Sequence, residues 1–211
     1  MRRALARALV TVLAAACVPI VALASPAYAA KCDPESRDTP MPQQPWPLQR
    51  LRPEQVWPLT RGQGVKVAVI DSGVGVHPVL KGQVTAVDYT KDGRGARCDM
   101  ASHGTLVAGI IAGLDSPDQP FHGLAPDAHI LSYRVIDTVE SSTSRDASVP
   151  VVKAIRDAAD AGAGVINLSL TAANTKALKA AIAYAYKKDV VVVAAAGNSG
   201  VKGTKEYPAA Y

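Results

Sequence analysis

Beyond residue 63 the chain alternates short apolar runs with longer stretches of mixed character. Residues 65–70, Val-Lys-Val-Ala-Val-Ile, predict a mostly buried strand, and 128–136, 164–170 and 190–196 predict three more. The last two are near-continuous apolar runs, the mark of parallel strands covered on both faces. Between the strands lie helical stretches at 104–113, 149–161 and 175–188. In the third, Asn174 is placed to cap the N-terminus, and Lys187 and Lys188 fall where the helix dipole favours cations. Strand and helix repeat in order, which predicts an α/β class with a parallel central sheet and helices on both faces. In such sheets chemistry collects at the carboxyl ends of the strands. Residues 137–148 are polar and rich in Ser and Thr, and predict a surface loop.

The first 62 residues follow other rules. Arg2, Arg3 and Arg7 precede an apolar run from 8 to 24, and Ala27-Tyr28-Ala29 follows as a small-x-small site. That order predicts a secretory signal peptide over 1–29, cut before Ala30. A membrane-anchoring helix is the alternative, but Pro19 interrupts the run. Residues 30–62 form a proline-rich extension: Pro34, Pro40, Pro42, Pro45, Pro47, Pro53 and Pro58 lie within it. So many fixed φ angles and missing donors predict an ordered wrap or an extended arm without regular structure, with Trp46 and Trp57 as candidate anchors. Residues 63–211 are then the folded domain.

Charge changes the picture little. The chain has 23 Lys+Arg against 18 Asp+Glu, a formal net charge of +5, but three of those Arg and no acids lie in the leader. The remainder is close to neutral, and no basic cluster with interleaved aromatics occurs, so nucleic acid is not expected as a partner. Cysteine is more informative. Cys17 leaves with the leader, so Cys32 and Cys98 remain as one pair in an exported chain, where a disulfide is favoured over two free thiols.

Three residues stand where strands or helices end. Asp71 follows the 65–70 strand and opens Asp71-Ser72-Gly73; alone it reads as a turn residue hydrogen-bonding its own backbone. Gly73-Val74-Gly75 starts like a dinucleotide fingerprint but fails, because Pro78 stands where the third glycine belongs. His103 opens a helix, where the dipole disfavours a charged imidazole, so a catalytic base there needs a carboxylate partner, and Asp71 is the candidate. Asn198 follows the last strand in Ala195-Ala196-Gly197-Asn198; its amide is placed either to stabilise a turn or to donate into a cleft.

In combination these motifs resemble the subtilisin family: Asp-Ser-Gly after a strand, His103-Gly104-Thr105-Leu106-Val107-Ala108-Gly109 opening a helix, and Ala-Ala-Gly-Asn after a later strand. Val165-Ile166-Asn167-Leu168-Ser169-Leu170 resembles the family's substrate-binding strand, and Tyr207-Pro208-Ala209-Ala210-Tyr211 its segment after the oxyanion residue. The resemblance covers 64–211. The proline-rich wrap and a Cys shortly before the His narrow it to the mycosins, extracytoplasmic proteases of actinobacterial type VII secretion, usually tethered by a C-terminal transmembrane helix. Where mycosins often have a further Cys after the substrate strand, this chain has Thr171-Ala172-Ala173.

The resemblance implies a serine endopeptidase. His103 acts as general base and then acid, and Asp71 holds its tautomer and stabilises the imidazolium. Asn198 donates to the oxyanion, Ser169 and Leu170 pair with the substrate backbone as an added strand, and Gly197 borders the same cleft. Peptide or protein substrates and a membrane secretion complex are the implied partners, with no metal or organic cofactor. The family's nucleophile sits in Gly-Thr-Ser-x-Ala, which these 211 residues lack: Gly203-Thr204-Lys205 has no Ser, and Gly197-Asn198-Ser199-Gly200 belongs to neither an all-β protease nor a hydrolase elbow, which needs glycine at Val201. The expectation is a domain truncated before the nucleophile helix, a fragment of a complete exported protease. The alternative is an inactive pseudo-protease that binds peptides or a secretion complex.

Overall fold

The computed structural model describes residues 31–34, 42–116, 120–137 and 148–211. The expected signal peptide lies outside the described residues, as does most of the 137–148 loop. Among the described residues no helix is long and apolar enough to cross a membrane.

The order of elements is α1 (Trp46–Leu51), β1 (Lys66–Asp71), β2 (Val84–Asp88), α2 (His103–Ala112), β3 (His129–Arg134), α3 (Ser148–Asp160), β4 (Val165–Leu168), α4 (Lys176–Lys187) and β5 (Val191–Ala194). The five strands form one sheet in the order β2-β3-β1-β4-β5, and every neighbouring pair is parallel. From the central β1 the chain crosses to the edge strand β2, returns to fill the gap with β3, and then builds β4 and β5 outward on the other side. The expected α/β class with a parallel central sheet holds.

Side-chain alternation explains the two layers. Val67 and Val69 of β1 point to one face and meet Ala108 and Ala112 of α2, with Val74, Leu80 and Ile130. Ala68 and Ile70 point to the other and meet Val151, Ala154, Ile155 and Ala158 of α3, with Leu178, Ala181 and Ala185 of α4. Because successive strand residues face opposite ways, an unbroken apolar run is what a strand between two helical layers requires.

Three expectations need correction. Strand β2 was not foreseen: it is an edge strand whose residues are only half-buried or exposed, so no apolar run announces it. The extension is not devoid of regular structure, since Trp46–Leu51 is helical. Pro47 lies in the first turn, where a missing N–H costs nothing, and the helix stops at Arg52 in the left-handed region (φ 47°), just before Pro53. The prolines bracket the helix rather than forbid it. Finally, α4 is capped not by Asn174 but by Thr175, whose hydroxyl accepts from Leu178 N at 3.1 Å. Asn174 instead accepts from the Tyr211 hydroxyl at 2.8 Å.

Described residues of the extension are tied to the domain. Trp57 donates its indole N–H to Leu124 O (3.0 Å) and packs edge-on against His122, while the Arg61 guanidinium lies over the indole and reaches Asp127 at 3.0 Å. Trp46 anchors nothing, being 72% exposed. Cys32 and Cys98 form a disulfide with Cα atoms 5.6 Å apart.

Candidate active site

The site begins where β1 runs out. Asp71 is the last residue of the central strand, is fully buried, and stands opposite Arg134 in the register with β3. The chain then turns through Ser72 and Gly73, and the turn is so tight against its surroundings that no side chain fits at position 73. A Cβ on Gly73, already at φ +114°, would overlap the carbonyl of Cys98.

The start of α2 is pressed into this turn. Gly104 leaves room for it: a Cβ there would overlap the Gly73 carbonyl and stand 3.1 Å from Asp71 Cβ. Gly104, Ala108 and Ala112 are buried at four-residue intervals, so one small-residue stripe lies along the sheet. This close approach places His103, the first residue of α2, over the end of β1.

The result is a hydrogen bond between His103 Nδ1 and Asp71 Oδ1 at 2.7 Å. A carboxylate can only accept, so the imidazole carries its proton on Nδ1 and leaves Nε2 with its lone pair. The same Asp71 oxygen accepts from Ser72 N at 2.7 Å, while Oδ2 is buried without a hydrogen-bond partner among the described residues. The bond to Asp71 raises the His103 pKa; partial burial opposes this, and the charges of Asp71 and Asp99 add to the rise. The His103 side chain is 34% exposed, so a substrate group can reach the ring.

The other expected residues follow later strands to the same carboxyl edge. Ser169 and Leu170 lie just past the final pair of the β4–β5 ladder, Leu168↔Ala194. The Ser169 hydroxyl accepts from Asn167 Nδ2 at 2.9 Å. The Leu170 side chain belongs to the core, so only its backbone is free for a partner strand. Gly197 (φ 94°) and Asn198 follow β5, and the Asn198 side chain is exposed. The structure joins Asp71 directly to His103; it does not hydrogen-bond Asn198 to either of them.

Sequence reasoning missed two buried residues. Asp99 accepts from the Ser72 hydroxyl and from Thr105. Arg134 is fully buried at the end of β3, beside the Gly73 turn, and bonds Asp88, Thr90, Asp92 and Asp137. A charged residue inside an apolar strand was the available signal for Arg134, and an acid four positions before His103 that for Asp99.

The arrangement of an Asp–His pair at the carboxyl edge of this sheet has relatives. The model of the subtilase family matches residues 62–211. The chain belongs to the subtilase family. This subtilase is 45% identical to mycosin-4 of Mycobacterium tuberculosis over 151 residues, 64% of this chain and 33% of that protein. It is 41% identical to thermitase of Thermoactinomyces vulgaris over 149 residues, 69% of this chain and 51% of that protein. Among solved structures it is similar to the MycP3 protease from the type VII (ESX-3) secretion system (TM-score 0.66, 32% identity, covering 86% of this chain and 57% of that one). It is also similar to a chain of the periplasmic assembly from the ESX-5 inner membrane complex (TM-score 0.64, 33% identity, 81% and 50%). The 211 residues therefore span between a third and about half of these relatives.

Proposed function

We propose that this subtilase is the front part of an exported serine endopeptidase of mycosin type, working with a type VII secretion complex outside the cytoplasmic membrane. The observation that carries the catalytic reading is the 2.7 Å bond from His103 Nδ1 to the buried Asp71 carboxylate. It presents Nε2 as a base toward a serine hydroxyl and holds the imidazolium that forms when the proton is taken. On protonating the leaving amine, His103 returns to its starting state. Asn198 donates to the tetrahedral oxyanion. The substrate extends the sheet beyond β4, pairing with the backbone of Ser169 and Leu170 beside Gly197.

The nucleophile in this reading is a serine outside these 211 residues, because none of their serines stands in Gly-Thr-Ser-x-Ala. The secretion assignment is supported by the likeness to mycosin-4 and by the related chain in the ESX-5 periplasmic assembly.

A peptidase assay tests the reading. The 211-residue chain is expected to show no turnover above background, and a longer reading frame carrying Gly-Thr-Ser to cleave peptides and to lose cleavage with His103→Ala. Turnover by the 211-residue chain that survives serine-directed inhibitors overturns it, as does a longer form indifferent to His103→Ala.

A further inference from the structure

Asp99 is 2% exposed and uses both of its carboxylate oxygens. Oδ1 accepts from the Ser72 hydroxyl at 2.7 Å. Oδ2 accepts from Thr105 N at 2.8 Å and from the Thr105 hydroxyl at 2.5 Å. Each partner continues the connection. Ser72 Oγ accepts from Gly104 N at 3.1 Å and lies 3.1 Å from Asp71 Oδ1. Thr105 Oγ1 accepts from Gly75 N at 2.9 Å. One carboxylate thus fastens the turn after β1, residues 72–75, to the first turn of α2, residues 103–105.

The first amides of a helix have no partner inside it. Here the residue preceding the helix, Ser102, has a left-handed φ of 56° and makes no side-chain cap bond to the helix. The amides of Gly104 and Thr105 are satisfied instead by Ser72 and Asp99, and a negative charge at this end also suits the helix dipole. Asp99 is held from behind, since the adjacent Cys98 is buried and bonded to Cys32. Arg97 clamps the outer side of the same turn, donating to the carbonyls of Val74 and Gly75.

We propose that Asp99 is a positioning residue for the Asp71–His103 pair, fixing the start of α2 against the end of β1 so that the imidazole meets the carboxylate. The inference rests on the catalytic reading of that pair. Ser72 has one hydroxyl proton, and its shorter contact directs that proton to Asp99. Asp71 Oδ1 is then left to Ser72 N and His103 Nδ1. Asp99 thus acts on His103 through Ser72 and Thr105, touching no reacting atom itself. A displacement of about 1 Å at such a site can lower a rate about a hundredfold. The two carboxylates acting on His103 are Asp71, from β1, and Asp99, from the loop before α2.

The test is an NMR pH titration of His103 in the 211-residue chain, with the exchange rate of its Nδ1 proton as a second readout. Native protein is compared with Asp71→Asn, Asp99→Asn and Ser72→Ala. Asp99→Asn keeps the size of the side chain but removes its charge and one acceptor. It is expected to lower the His103 midpoint by about half a pH unit or more and to speed Nδ1 exchange about tenfold or more. Ser72→Ala leaves the Asp99 carboxylate intact and cuts the link, and is expected to speed exchange likewise; it decides the matter if Asp99→Asn does not fold. A merely structural Asp99 lowers the melting temperature but leaves midpoint and exchange unmoved, and that result overturns the proposal. If Asp71→Asn also leaves the midpoint unmoved, the Asp–His pair itself fails and takes this inference with it. A midpoint that moves with Asp71→Asn but not with Asp99→Asn overturns the role of Asp99 alone.

Discussion

His103 Nδ1 and Asp71 Oδ1 lie 2.7 Å apart although 32 positions separate the two residues in sequence. The bond raises the His103 pKa above its ordinary 6.5, which has two consequences of opposite sign. The pair stabilises the fold fully below about pH 6.5, and that contribution is lost as pH rises through the raised folded value. In the proposed reaction, base catalysis needs the neutral ring and grows over the same rise. Asp71→Asn is expected to bring the midpoint down and to flatten the pH dependence of unfolding above about pH 6.5. Parallel NMR titration and urea unfolding at several pH values check both.

Arg134 is a buried cation held by acids. Its side chain is fully buried among Asp88, Asp92 and Asp137, and the bond to the Arg134 guanidinium holds the Asp92 carboxyl well below its usual range. Arg134→Met removes the buried cation and leaves Asp92 and Asp137 only the partly exposed Arg94, and is expected to destabilise by about 3–5 kcal/mol. In the native protein Asp92 contributes stability above about pH 3.8, lost as pH falls below that value. Denaturant unfolding of the variant against native, at pH 7 and pH 3, is expected to show the smaller difference at pH 3.

Gly104→Ala tests how closely α2 approaches β1. The added methyl overlaps the Gly73 carbonyl and crowds Asp71, although alanine is the better helix former. Overpacking of a backbone contact is expected to win by about 1–3 kcal/mol. Thermal unfolding measures the loss, and the His103 midpoint is expected to fall as the helix start moves off the carboxylate.

The Cys32–Cys98 disulfide joins positions 66 apart in sequence. Removing it by Cys32→Ser with Cys98→Ser is expected to lower stability by about 2–5 kcal/mol. Peptide mapping under non-reducing conditions of the protein produced in an oxidising compartment is expected to recover the two cysteines in one linked peptide; recovery of both as free thiols contradicts the structure.

What could be read along the chain was whatever neighbouring residues decide together. The runs at 65–70, 128–136, 164–170 and 190–196 marked β1, β3, β4 and β5 because near-continuous apolar runs mark strands of a parallel sheet, although β5 lies at the edge with Val191 and Val193 exposed rather than covered on both faces. Motif spacing marked Asp71 and His103 because a turn glycine after a strand and a small-residue helix start are local features. The rest was decided by contacts between distant segments. Strand β2 exists through its ladder with β3, not through its own half-polar residues. Thr175 rather than Asn174 caps α4 because Asn174 is engaged by Tyr211, 37 positions away. Asp99 and Arg134 are ordinary acid and base in sequence, and only folding removes them from water and leaves bonding to specific partners as the favourable outcome. Composition and periodicity report which groups leave water; which buried groups meet is set by how helices and strands pack in three dimensions.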